Sequence, residues 1–322
     1  MSRPDWRPGA GIEILRLRAE LLARARDYFS DKGVLEVETP LLSASATVDP
    51  NLHSLAVTCE TGRRYLHTSP EFPMKRLLAA GSGDIYQISK VFRAGESGRY
   101  HNPEFTLLEW YRTGLDYHQL MAEVDALIRG LARPWRALPE SHYVEYGSLF
   151  AQVLGVDPHR ASHDELIEVA RSGDLIHGGG PDLDRDAVLD LLFAERVVRS
   201  LAGDRLTFVY DFPAAQASLA QVRDGDPPVA ERFEVLWGEL ELANGFSELT
   251  DAVEQARRFD REVALRRERG LAQLPVDRRL VEALHSGLPP CAGVALGIDR
   301  LVMRLARRSH IGEVLSFDWS RA

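Results

Sequence analysis

The stretch Val91-Phe92-Arg93-Ala94-Gly95-Glu96-Ser97-Gly98-Arg99-Tyr100-His101-Asn102-Pro103-Glu104-Phe105-Thr106-Leu107-Leu108-Glu109-Trp110-Tyr111-Arg112 decides how this chain is read. An apolar run ends on a cation, a polar loop with two glycines follows, and the chain returns through alternating aromatic and acidic residues. Ile85 to Phe92 reads as one strand, residues 93–103 as the loop, and Glu104 to Arg112 as the return strand. Strand side chains alternate with period two, so Phe105, Leu107, Glu109 and Tyr111 share one face. A buried carboxylate without a partner is costly, so Glu109 either meets a cation or a donor, or its face is an edge in water. With Arg93 before it and His101-Asn102-Pro103 in the loop, the hairpin is built to hold an anion beside a flat ring.

Working outward, Ile14, Leu15, Leu21, Leu22, Ala25, Tyr28 and Phe29 recur at helical spacing, which predicts a helix over residues 12–32 ended by Gly33. Val34 to Val37 predicts a short strand stopped by Thr39-Pro40. Residues 115–205 read as a helical insertion, with helices over 118–131 and 186–202 and a glycine-rich linker at His177-Gly178-Gly179-Gly180-Pro181. Strands are expected at Leu206 to Tyr210 and Phe233 to Leu242, and a charged helix over 251–269. Val294 to Arg308 should run strand, Gly297, helix. Hairpins separated by helices, without regular βαβ alternation, predict an α+β fold with a mainly antiparallel sheet flanked by helices.

The 322 residues are 45% hydrophobic and 27% charged, an ordinary globular balance. No apolar run approaches the roughly 20 residues needed to cross a bilayer, and the start lacks an apolar signal core. The chain therefore reads as cytoplasmic and without a membrane partner. Cys59 and Cys291, without metal-ligand spacing, read as two reduced thiols. A net charge of -9 argues against a long polyanion as partner.

Two further stretches carry chemistry. In Phe233-Glu234-Val235-Leu236-Trp237-Gly238-Glu239-Leu240-Glu241-Leu242-Ala243-Asn244-Gly245-Phe246-Ser247-Glu248-Leu249, Glu234 and Glu241 flank a strand or hairpin, and Asn244, Phe246 and Glu248 alternate. Such carboxylates suit Mg²⁺ or an amine, or are simply solvated. In Gly293-Val294-Ala295-Leu296-Gly297-Ile298-Asp299-Arg300-Leu301-Val302-Met303-Arg304-Leu305, Arg300 falls in a helix's first turn, where a cation opposes the dipole. A bound phosphate would explain it, and a solvent-facing arginine is the alternative.

Together and in this order, these stretches resemble motifs 2 and 3 of the class II aminoacyl-tRNA synthetases, and Gly33-Val34-Leu35-Glu36-Val37-Glu38-Thr39-Pro40 resembles motif 1. The wording from Glu241 to Leu249 is that of the lysine enzymes. The whole chain reads as one synthetase-like catalytic domain, 1–322, starting near residue 12 without the N-terminal OB-fold that binds an anticodon. It is similar to the stand-alone paralogues that modify elongation factor P, as Thr68-Ser69-Pro70-Glu71, Gly98-Arg99-Tyr100-His101 and the run from Phe212 to Ala220 also suggest.

The resemblance implies roles residue by residue. Arg93 would clamp the α-phosphate and the substrate carboxylate, and Arg300 the γ-phosphate. His101, Asn102, Glu241, Leu242 and Gly297 would contact ATP, with Phe105 stacking on adenine. Glu234 and Glu241 would bind Mg²⁺. Ser69, Pro70, Glu71, Glu109, Tyr111, Asn244, Phe246, Glu248 and Ala295 would form the amino-acid pocket, with Glu109, Tyr111 and Glu248 receiving the distal amine. Two positions depart from the synthetase pattern. Gly95 stands where motif 2 has Glu, so either Glu96 or the backbone meets the adenine amino group. Ala295 stands where lysyl-tRNA synthetases have Gly, a change that fits (R)-β-lysine. The resemblance further implies elongation factor P as acceptor, a homodimer and no tRNA. The alternatives are a truncated synthetase charging tRNA and a silent regulatory paralogue.

Overall fold

The computed structural model describes residues 6–60, 62–177, 183–201 and 203–322. The triglycine and Pro181 lie outside the described residues. In chain order come α1 (Ile12–Asp31), β1 (Leu35–Glu36), β2 (Leu42–Ser43), β3 (Ala56–Cys59), β4 (Gly62–Leu66), α2 (Glu71–Ala79), β5 (Ile85–Phe92), β6 (Glu104–Thr113) and α3 (Tyr117–Ala132). Then follow β7 (His142–Glu145), α4 (Tyr146–Leu154), α5 (His163–Ser172), α6 (Arg185–Leu192) with a π turn after it, β8 (Leu206–Pro213), β9 (Val222–Arg223), β10 (Val229–Trp237) and β11 (Leu240–Ser247). The chain ends with α7 (Ala252–Glu268), α8 (Arg278–Gly287), β12 (Cys291–Gly297) and α9 (Ile298–Leu305).

Among the described residues the main sheet runs β1-β5-β6-β12-β11-β10-β8-β7, with β9 beside β10, and β2-β4-β3 form a small second sheet. The β1–β5 and β7–β8 pairs are parallel and the others antiparallel. The expected α+β class, a mainly antiparallel sheet with flanking helices, is what the chain adopts.

The two faces of the central strands part company chemically. On β6, Leu108 and Trp110 point into a core shared with α1, α3 and α9. There Phe29 stacks on Tyr86 at 4.4 Å and meets Trp110 edge-on at 5.4 Å. Helix α1 is placed by its buried stripe Ile14, Leu21, Ala25 and Phe29. It stops in a Schellman turn: Gly33, at φ +68, donates to Ser30, and Val34 donates back to Phe29. A buried knot ties this face to the other side. Asp299 of α9 accepts from Arg18 of α1 (2.5 Å) and from the Thr106 amide of β6 (2.7 Å), which fixes where α9 begins.

Two expectations change form. Phe233 to Leu242 is not one strand but the turn of a hairpin, because Gly238 takes φ +60 between β10 and β11. The 115–205 stretch is also heterogeneous. α3 packs in the central core and β7 extends the main sheet, whereas α4, α5 and α6 build a separate apolar cluster against β8 and β10. The two cysteines are free thiols, Cys59 half-buried and Cys291 buried. Among the described residues, no helix is long and apolar enough to cross a membrane.

Candidate active site

The second face of β6, β11 and β12, roofed by α2, α7 and the loops after β2 and β5, lines a cavity of about 1160 Å³. Phe105, Leu107, Glu109 and Tyr111 all line it, as the period-two reading of β6 requires. Asn244 and Phe246 of β11, Glu248 just beyond it, and Ala295 in β12 join them. The register sets Ala295 between Glu109 and Asn244, so its methyl lies at the centre of the floor.

One end of the cavity is cationic. The Arg93 amide closes the β5–β6 hairpin onto the Pro103 carbonyl at 2.9 Å. Its guanidinium lies 5.1 Å over the Phe105 ring, with Nε 3.4 Å from the Thr68 carbonyl and an Nη 3.8 Å from Glu96. Arg300, in the first turn of α9, donates to the Glu241 carbonyl (2.9 Å) and carboxylate (3.3 Å) and to His101 Nε2 (2.7 Å). Burial, then the Arg300 charge, pulls the His101 pKa below its ordinary value, so the ring accepts as a neutral imidazole. Gly297 caps α9 without a side chain. A Cβ there would make only ordinary contacts, the nearest 3.6 Å from the Leu242 carbonyl. Protein packing does not demand glycine at Gly297, whereas a ligand approaching the helix start would.

Glu241 reaches this wall through a β-bulge. Val235 pairs Ala243 but Leu236 pairs Glu241, so Leu242 is the extra residue and Glu241 turns to the side of Asn244. Glu234 lies behind, mostly covered and bonded to Arg232 at 2.6 Å. Burial raises its pKa to about 7; Arg232 opposes the rise and Glu241 adds to it. Among the described residues, no group of three or more His, Cys, Asp or Glu side chains is set to hold a metal. Glu234 and Glu241 fit a divalent cation only in company with phosphate oxygens, the usual arrangement for Mg²⁺.

The opposite end is anionic and deep. Glu109 is 2% exposed and meets donors: Ser69 Oγ at 2.8 Å and the Tyr111 hydroxyl at 2.7 Å. Ser69 Oγ in turn accepts from the Glu71 amide that opens α2. One turn along α2, Lys75 is buried at 1% exposure, its Nζ 2.6 Å from Glu71 Oε1 and 2.5 Å from Glu248 Oε2. Burial works against that ammonium, but Glu248 and Glu71 outweigh it and raise its pKa. Burial still lifts Glu248 to about 8 despite Lys75, and lifts Glu109 to about 7 with Glu71 adding to the rise. The two directions agree once charges are counted: three carboxylates share one ammonium, and among the described residues Glu248 Oε1 has no hydrogen-bond donor.

Most residues singled out from the sequence converge here. Pro70 and Glu234 are not on the wall: Pro70 lends its carbonyl to the first turn of α2. Asn102 lines the cavity, yet its side chain is engaged, donating to the Glu104 carbonyl and accepting from the Trp319 amide. Sequence reading missed Lys75, Arg232 and Gly293. Lys75 has the spacing of an ordinary surface Glu–Lys pair on a helix, and only its apolar neighbours Met74 and Leu78 hint at burial. Gly293 matters through register. It sits opposite both Tyr111 and Phe246, and a Cβ there would fall 2.6 Å from Tyr111 Cδ1 and closer still to Glu248 Oε1.

The family model described as tRNA synthetases class II (D, K and N) matches residues 5–320, and the chain belongs to that family. Among individual relatives, the chain is 47% identical to the elongation factor P–(R)-β-lysine ligase of Vibrio cholerae, over the full length of both chains. The proteins of the same name from Vibrio vulnificus (48%, 97% of this chain and 98% of the relative) and Pseudoalteromonas translucida (46%, all of both) are similar to it to the same degree.

Proposed function

We propose that the chain is an ATP-dependent ligase that activates (R)-β-lysine, or lysine, as an aminoacyl-adenylate and transfers it to a lysine ε-amine of elongation factor P. The observation that carries this reading is one cavity with two guanidinium groups, Arg93 and Arg300, at one end and an under-neutralised carboxylate cluster at the other. A molecule with a carboxylate at one end and an ammonium at the other fits between them. The full-length relatives that share the ligase name support the acceptor.

In the first step a substrate carboxylate oxygen attacks the α-phosphorus of ATP, and the bond to pyrophosphate breaks. Arg93 would neutralise charge building on the α-phosphate while Arg300 holds the far phosphate, so positioning and charge compensation do the work. Phe105 offers its face to adenine once Arg93 turns to phosphate. Glu241, backed by Glu234, would hold a Mg²⁺ ion, which would supply further charge neutralisation. Glu109, Tyr111 and Glu248 receive the substrate ammonium. In the second step the unprotonated acceptor amine attacks the acyl carbon, AMP leaves, and the amine proton passes to water.

We read the whole chain as one catalytic domain carrying α4 to α6 as an appended helical unit. The exposed Leu35, Leu41 and Leu42 after α1 support a homodimer. The reading gives tRNA no role and places the protein in the cytoplasm with ATP. ATP–pyrophosphate exchange driven by lysine or β-lysine tests it; no exchange with either would reject it.

A further inference from the structure

The carboxylate end of the cavity contains a cation of its own. Lys75 Nζ fills the space between Glu71 Oε1 and Glu248 Oε2 and lies 5.4 Å from the centre of the Phe246 ring. Nothing in the two-step reaction uses it. As an acyl acceptor it is disqualified, because it is buried, doubly ion-paired and held protonated. Its geometry does have a consequence for what can bind. With the inner oxygen of Glu248 taken, the free oxygen Oε1 is turned to the side where Gly293 lacks a Cβ and where Tyr111 and Glu109 stand.

We propose that Lys75 is a specificity-determining positioning residue: a built-in ammonium that occupies the inner side of the carboxylate cluster, so that Glu248 Oε1 and the Glu109–Tyr111 pair admit one substrate ammonium in one place. This rests on the reading of the cavity as an amino-acid activation site. Three carboxyl groups, Glu71, Glu109 and Glu248, face one fixed cation, so the cluster keeps acceptor oxygens to spare for an entering ammonium. Because Lys75 holds Glu71 and Glu248, that ammonium cannot sink between them. An uncharged side chain at position 75 would leave two buried carboxylates apposed. They would then draw a proton or the substrate ammonium into the wrong seat, with the substrate carboxylate pulled away from Arg93.

The test is Lys75→Met, which keeps length and removes charge. Breaking a buried charge pair from one side should raise KM for lysine or β-lysine in ATP–pyrophosphate exchange roughly 30-fold or more. KM for ATP should stay unchanged. In Lys75→Ala, whose short side chain leaves the seat empty where Met fills it, added ethylammonium should lower the amino-acid KM back toward the parent value. Calorimetric ATP binding by the variant shows that it is folded. An unchanged amino-acid KM in Lys75→Met, or a raised one in Lys75→Ala that ethylammonium leaves untouched while the protein still binds ATP, would overturn the proposal. If Lys75→Met does not fold, Lys75→Arg, which keeps the cation but displaces it, is measured instead: a raised amino-acid KM with an unchanged KM for ATP supports the proposal, and an unchanged amino-acid KM overturns it. Absence of exchange in the parent protein would instead count against the functional reading itself.

Discussion

Gly293→Ala places one methyl where an ammonium is expected to sit. The added Cβ would lie 2.6 Å from Tyr111 Cδ1 and inside contact distance of Glu248 Oε1, against an ordinary contact of 3.4–4 Å. Neither neighbour yields readily. The Tyr111 ring is buried on the adjoining strand and its hydroxyl is bonded to Glu109; Glu248 is held by Lys75. Overpacking a tight site costs roughly 1–3 kcal/mol of stability. Losing a hydrogen bond between charged groups costs about 1.5–3 kcal/mol of binding, which is roughly a 10- to 100-fold rise in KM. The rise should appear for lysine and β-lysine in pyrophosphate exchange and leave KM for ATP unchanged, because Gly293 is remote from Arg93 and Arg300. Circular dichroism would show a folded protein with a modestly lower melting temperature. A folded Gly293→Ala protein with an unchanged amino-acid KM would show that the amine does not sit against Glu248.

Arg300→Ala should abolish exchange while the protein stays folded, because α9 is anchored by Asp299 to Arg18 and Thr106 rather than by Arg300; normal exchange would remove Arg300 from the phosphate role. Glu109 and Glu248 hold protons up to about 7 and about 8, above the ordinary carboxylate value of 4.5. Their contribution to the stability of the free protein is therefore complete below the ordinary value and is lost as pH rises through 7 to 8. An ammonium ligand favours the ionised forms, so lysine binding at neutral pH should release protons. Calorimetry in buffers of different ionisation enthalpy reads this directly, and pH-independent binding without proton release would contradict it. The proposed homodimer would give a solution mass of two chains by light scattering, and Leu35→Asp with Leu42→Asp should yield one; a single-chain mass for the parent protein would end that proposal.

What could be read along the chain was what period and punctuation control. The stripe of α1, its glycine stop, the β5–β6 hairpin and the shared face of Phe105, Glu109 and Tyr111 follow from local rules, and the fold keeps them. What could not be read depends on register or on partners far along the sequence. Strict alternation turns Glu241 away from Asn244, and only the bulge at Leu242 brings it back. Lys75 looks like a surface residue until Glu248, a distant neighbour in sequence, closes over it. Asn102 has the chemistry of a ligand contact, yet the Trp319 amide and the Glu104 carbonyl already use its side chain. The burial of α4 to α6 against β8 and β10 gives the middle of the chain its own apolar cluster, which the reading of 115–205 as a helical insertion did not foresee.

The central claim is that one cavity couples ATP to a diamino acid and delivers it to a protein. Its most direct test is the intact mass of purified elongation factor P after incubation with the chain, ATP, Mg²⁺ and (R)-β-lysine. The account predicts a gain equal to one lysyl residue, dependent on ATP and lost with Arg300→Ala. An unmodified elongation factor P in a reaction where tRNA becomes charged would contradict it.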